Sequence, residues 1–114
     1  MIKISLHYNN QGDLWKFSLY GHAGYADYGQ DIVCAAVSMI VINTINSINS
    51  LTKEPIVLKE DASKGYINCT FPDIQHNQGS KEALLLLNSM ILGLENVKKE
   101  YEKHIQIKIH PGGE

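Results

Sequence analysis

Apolar and polar residues alternate from the first positions of the chain. Ile2, Ile4 and Leu6 interleave with Lys3, Ser5 and His7, the period of two that sets one face of a strand on a core and the other in water. A polar break, Asn9-Asn10-Gln11-Gly12-Asp13, separates this run from a second strand-like stretch over residues 14–20, and the two together read as a hairpin. Residues 21–29, GHAGYADYG, hold three glycines and two tyrosines and read as an irregular loop. From Asp31 the segment DIVCAAVSMIVINTINSINS is apolar on nearly every side and then narrows to Val41, Ile45 and Ile48 among Asn and Ser. That pattern predicts a helix with a buried start and with Asp31 as its cap or first-turn acid.

Beyond Pro55, residues 56–60 and 65–71 predict a second strand pair joined through Asp61-Ala62-Ser63-Lys64, with a loop over 72–79 after it. Ala83, Leu84, Leu87, Ile91, Leu94, Val97 and Tyr101 recur at helical spacing within 80–103, and Ile105, Ile107 and Ile109 alternate with polar residues in a last strand over 104–110. The order ββαββαβ predicts an α+β fold of two layers, a mixed or antiparallel sheet covered by two long helices, as a single domain over residues 1–114.

Composition narrows the function classes. With 114 residues, 44% hydrophobic and 19% charged, the chain suits one domain. It has ten basic residues, all Lys, against twelve acids, a formal charge of -2. A phosphate-reading protein is ordinarily basic and uses the guanidinium fork, so no direct nucleic-acid partner is expected. The N-terminus has no signal-peptide run, and the longest apolar-rich stretch, 32–42, falls short of the ~20 residues that cross a bilayer. A cytoplasmic protein without membrane contact is the expectation, with both cysteines, Cys34 and Cys69, reduced. His7, His76, His104 and His110 show no ligand spacing, and the glycines do not match a phosphate loop or dinucleotide fingerprint, so neither metal nor cofactor is expected.

Chemistry concentrates in residues 20–38. Cys34 lies about three positions inside the expected helix start, where unpaired N–H groups, its own included, would favour a thiolate and supply oxyanion donors. His22 ends the second strand, and the glycine-rich stretch between gives the chain room to bring imidazole and thiol together as a nucleophile and base for acyl transfer. Asp31 could orient His22, although capping is the preferred role. Ser38 lies one turn beyond Cys34 on the same face and could contact substrate. Tyr20, Tyr25, Tyr28 and Trp15 are candidates for an apolar wall, Trp15 and Tyr20 equally for the sheet core. The plain alternative makes Cys34 a core residue and the protein a noncatalytic peptide-binding module. Cys69, alternating with Ile67 and Phe71, reads as core.

Gly21-His22-Ala23, then Gly29, then Asp31-Ile32-Val33-Cys34-Ala35-Ala36-Val37-Ser38 resembles the signature of the Prp family, the ribosomal-processing cysteine proteases, and the likeness extends over nearly the whole chain. The resemblance implies a homodimeric cysteine endopeptidase that removes a short N-terminal extension, ending in a Phe-Phe pair, from a large-subunit ribosomal protein. It implies His22 and Cys34 as the catalytic pair. It also implies that the intervening loop, with Gly21, Ala23, Gly24, Tyr25, Tyr28 and Gly29, reorganises around the substrate.

Overall fold

The computed structural model describes residues 1–21 and 28–112, with the side chains of residues 28–31 outside the description. The first hairpin forms where the alternation is cleanest, β1 (Ile2–Tyr8) against β2 (Leu14–Tyr20). Its turn is organised by Asn9, which is 7% exposed. The Asn9 Oδ1 accepts hydrogen bonds from the backbone of Gln11 and Asp13 at 2.9 and 3.0 Å, and its Nδ2 donates to the Ile74 carbonyl at 2.7 Å. A buried amide whose groups are satisfied in this way fixes both the turn and the segment packed on it.

Helix α1 runs Tyr28–Leu51, three residues earlier than the pattern predicts. Glycine lowers helix propensity by about 1 kcal/mol, which argues for loop at Gly29, but a prior that weak does not decide a helix boundary. Asp31 is therefore the fourth helical residue and not the cap. The length expectation for 32–42 also fails, since residues Ile32–Leu51 form a 20-residue stretch of mean hydropathy 1.7, long and apolar enough by those two measures to cross a membrane. The Asn, Thr and Ser residues beyond Ile42 are uncharged and do not interrupt it. The helix instead lays a stripe into the protein core: Val33, Val37, Val41, Ile45 and Ile48 are all buried, at helical spacing.

β3 (Val57–Asp61) and β4 (Tyr66–Thr70) follow, joined by a single 3-10 turn, Ala62–Lys64. The predicted loop over 72–79 contains a one-turn helix, α2 (Pro72–Gln75), started by Pro72 at its first position and pinned by buried Ile74, the placement at which proline's missing N–H costs nothing. Helix α3 spans Lys81–Glu100. Ser80 caps it by accepting from the Ala83 amide at 3.1 Å, while the Ser80 amide donates to Glu54 at 2.7 Å. Strand β5 (Ile105–His110) closes the fold.

The sheet order is β3-β4-β2-β1-β5, antiparallel except for the parallel β1/β5 pair. The mixed sheet and helical layer match the predicted class, with α2 as the added element. One sheet face, including Ile2, Ile4, Leu6, Phe17, Leu19 and Cys69, packs with Val33, Val37 and Val41 of α1 and Leu87, Met90 and Leu94 of α3 in one buried cluster.

On the other face the imidazoles of His7 and His110 stack with centroids 4.1 Å apart and planes 5° from parallel. Burial, then the positive charges of His110 and Lys16, hold the His7 pKa below its usual 6.5. Acidification therefore protonates the unfolded chain more readily than the folded one at this residue, and the His7 contribution falls away as pH drops through 6.5. Replacing His7 with Gln should shrink the loss of unfolding midpoint seen between about pH 7.5 and pH 5.5. Identical losses in wild type and variant would remove His7 as its source.

Candidate active site

Helix α1 crosses the ends of β2 and β4 and leaves a cavity of about 260 Å³ whose walls include Ile2, Leu19, Val37, Ile42 and Ile67, with Cys34 and Ser38 in the same lining. Cys34 and Ser38 are both half-buried, one helical turn apart on one face as their spacing requires. Cys34 is thus not the sealed core residue of the noncatalytic alternative. Cys69 is that residue. It is fully buried, and burial pushes its thiol up to about 12, leaving it protonated and unreactive.

Gly21 carries the end of β2 to the thiol. It is buried, and a Cβ built on it would lie 3.5 Å from Ile2 Cγ1 and 3.9 Å from Cys34 Sγ. Its amide donates to the Gly65 carbonyl at 2.9 Å. Gly65 sits at φ +60, the left-handed cap of the turn after β3, and a Cβ there would be driven into the Gly21 carbonyl oxygen. Two backbones meet with no room for a side chain between them. The sequence pattern read Gly65 only as the start of a strand. The available signal was a glycine directly after a short polar turn, where a left-handed cap belongs.

Several predicted members resolve differently. Cys34 is the seventh residue of α1, beyond the first four N–H groups that lack helical partners. Its own amide is therefore not an oxyanion donor, and the first-turn placement expected for it does not hold. Tyr20 is 47% exposed and pairs across the sheet with Lys3 and Tyr66. Trp15 lies at the far end of β2, 6.1 Å from the His7 ring. Neither ring lines the cavity: Tyr20 is turned to the uncovered sheet face, whereas Trp15, at the irregularity opposite His7 and Tyr8, is half-buried and packs against the edge of the core. Tyr66 contributes to the cavity lining from the start of β4, together with Gly65 and Ala62, although its side chain is in register with Tyr20 on the open face, and none of the three was among the predicted site residues. His22, Ala23, Gly24 and Tyr25 lie outside the described residues. Tyr28, Gly29 and Asp31 fall in the first turn of α1. Among the described residues no group of three His, Cys, Asp or Glu side chains is arranged to hold a metal ion.

A half-buried thiol facing an apolar cleft on a two-layer α+β frame is what a small thiol peptidase requires of its nucleophile, and known proteins supply the class. The chain belongs to the cysteine protease Prp family, whose model matches residues 1–106. The ribosomal processing cysteine protease Prp of Staphylococcus aureus is 30% identical over 107 residues, 94% of this chain and 97% of that one. The structure of the S. aureus protease with a substrate peptide superposes with a TM-score of 0.86 at 28% identity, covering 96% of this chain and 99% of that one. Its complex with a covalently linked product peptide gives 0.83 at 29% identity with the same coverage. The protein is a cysteine protease, and the noncatalytic alternative is set aside.

The Gly21–Gly65 contact should matter to activity. Gly65→Ala adds left-handed strain, of order 1–3 kcal/mol, and displaces Gly21 from beside Cys34. Peptide cleavage by the folded variant should fall at least tenfold, with circular dichroism showing retained secondary structure. Wild-type turnover would mean that this contact does not position the site.

Proposed function

We propose that the protein is an endopeptidase that removes a short N-terminal extension from a large-subunit ribosomal protein, with Cys34 as nucleophile and His22 as its base. The observation that carries this reading is the approach of Gly21, the residue before His22, to the Cys34 sulfur at the mouth of an apolar cavity. His22 takes the thiol proton, and the thiolate attacks the scissile carbonyl. Collapse of the tetrahedral adduct breaks the C–N bond as the imidazolium returns the proton to the leaving amine. Water then hydrolyses the thioester by the same base catalysis. The S. aureus relative, solved with a substrate peptide and with a covalently linked product peptide, supports both a peptide substrate and a covalent route.

The cavity suits an aromatic side chain next to the cut, since its lining is largely apolar and only partly open. Ser38, in the cavity lining, is assigned to the peptide backbone, and Gly21, Ala23, Gly24, Tyr25, Tyr28 and Gly29 are assigned to closure over the substrate, with Asp31 as a first-turn acid. The substrate is made in the cytoplasm, and the reaction belongs there. Mass spectrometry of an extended ribosomal protein incubated with wild type, Cys34→Ala and His22→Ala reports the cut site and both roles. Each variant should lose at least a thousandfold in rate, and iodoacetamide should label Cys34 but not Cys69 in the folded protein. Continued cleavage by Cys34→Ala would end the thiol mechanism.

The second copy implied by the resemblance has an apolar surface to occupy. Met39 and Ile42 of α1 and Leu85 and Leu92 of α3 are 67%, 42%, 70% and 64% exposed, more apolar helix surface than solvent alone explains. A solution mass of two chains at micromolar concentration is expected, falling to one chain for Met39→Glu/Leu92→Glu. A wild-type mass of one chain would exclude the dimer.

A further inference from the structure

The face of the sheet that the helices leave open has a composition unlike the rest of the molecule. Strand registers place its residues in three cross-sheet rows. The first is Gln106, Lys3, Tyr20, Tyr66 and Asp61; the second is Lys108, Ser5, Ser18, Asn68 and Lys59; the third is His110, His7, Lys16, Thr70 and Val57. The face therefore carries four of the ten lysines and one of the twelve acids. Six lysines and eleven acids remain for everything else, so a chain of net charge -2 is divided into a cationic sheet face and an anionic remainder. The single acid, Asp61, is turned toward its own loop, where it accepts hydrogen bonds from the Ser63 amide and hydroxyl at 3.1 and 2.6 Å.

We propose that this uncovered face binds single-stranded RNA. Lysines at the β3 and β5 edges, Lys59 and Lys108, bracket a floor of Ser5, Ser18 and Asn68, small neutral side chains that donate and accept hydrogen bonds. Five strands at about 4.8 Å separation make that row roughly 19 Å wide, wide enough for an extended strand. Lys3 and Lys16 place two more charges on the central strands. Exposed Tyr20, in register with Lys3 and Tyr66, offers a ring on which a base can stack, and Trp15 lies beside Lys16, whose Nζ is 6.0 Å from the indole. Lysines for phosphates and aromatic rings for bases on an open sheet form one of the recurring ways proteins hold unpaired RNA.

Other occupants fit less well. A second copy of the chain would bring four lysines against four lysines. A protein partner would find only Val57 as an aliphatic anchor, whereas the centre of a protein interface is depleted of charge. The low basicity of the whole chain is no objection, because a binding surface responds to the local field and not to the sum over the molecule.

The test is fluorescence anisotropy of a labelled, unstructured 12-nucleotide RNA with the full chain, titrated between 50 and 200 mM KCl. Micromolar binding at low salt is expected. At about 0.7 per neutralised phosphate on a single strand, four lysines should give a slope of log K against log salt near −3. Lys16→Gln/Lys108→Gln should reduce the slope by about 1.4 and weaken binding at least tenfold while peptide cleavage is unchanged. Tyr20→Ser should weaken binding about fivefold with the salt slope preserved. No binding at 50 mM KCl, a slope near zero, or a double variant that binds like wild type would overturn the proposal. So would polyglutamate displacing the RNA as effectively as unlabelled RNA, since the surface would then hold polyanions without reading bases.

Discussion

A five-stranded sheet has two faces, and this chain has long helices for only one of them. Burying Ile2, Ile4, Leu6, Phe17, Leu19 and Cys69 under α1 and α3 removes apolar surface from water, the dominant favourable term in folding. Everything else is arranged around that one-sided contact. The reactive thiol has to come from the covering layer, so it sits where α1 passes the sheet end and the packing opens into a cleft. The opposite face, left to solvent, is free of the requirement to be apolar and holds charge instead.

The cleft depends on backbone as much as on side chains. At Gly21 and Gly65 two segments from different hairpins approach so closely that a β-carbon on Gly65 would overlap the Gly21 carbonyl. One hydrogen bond, Gly21 to Gly65, ties the end of β2 to the turn that precedes β4. The stretch leading into His22 therefore has its starting point fixed by residues far along the chain. Preorganisation of this kind lowers the ordering cost at the moment of reaction.

Much of this is legible in the amino-acid sequence. Period-two alternation located β1, β2 and β5 within two residues of each end, and helical spacing located α3, because each reports directly which side of an element meets the core. The cysteine at a helix and the histidine after a strand were visible as residue types with a chemical reason to be together. What stayed hidden was set by distant partners. Gly65 needs its identity because of Gly21, 44 positions away in the chain. The start of α1 was obscured by Gly29, whose low helix propensity reads as loop although the helix includes it. The placement of Tyr20 and Trp15 follows from strand register and the irregularity between His7 and Tyr8. Net charge concealed the lysine-rich face because a sum over residues carries no information about sidedness.

The parallel pairing of β1 with β5 joins the first strand of the fold to the last. Ile2 donates its amide to His104 at 2.9 Å, pairs with Ile105, and lines the cleft beside Cys34. During synthesis β1 emerges first and waits with one edge open until β5 is made, since a long loop has to close before that contact forms. A partly synthesised chain lacks the strand that seats Ile2 and hence a finished wall for the cleft. The wall of the cleft is thus as long-range as the fold itself, complete only when the last described strand has paired with the first.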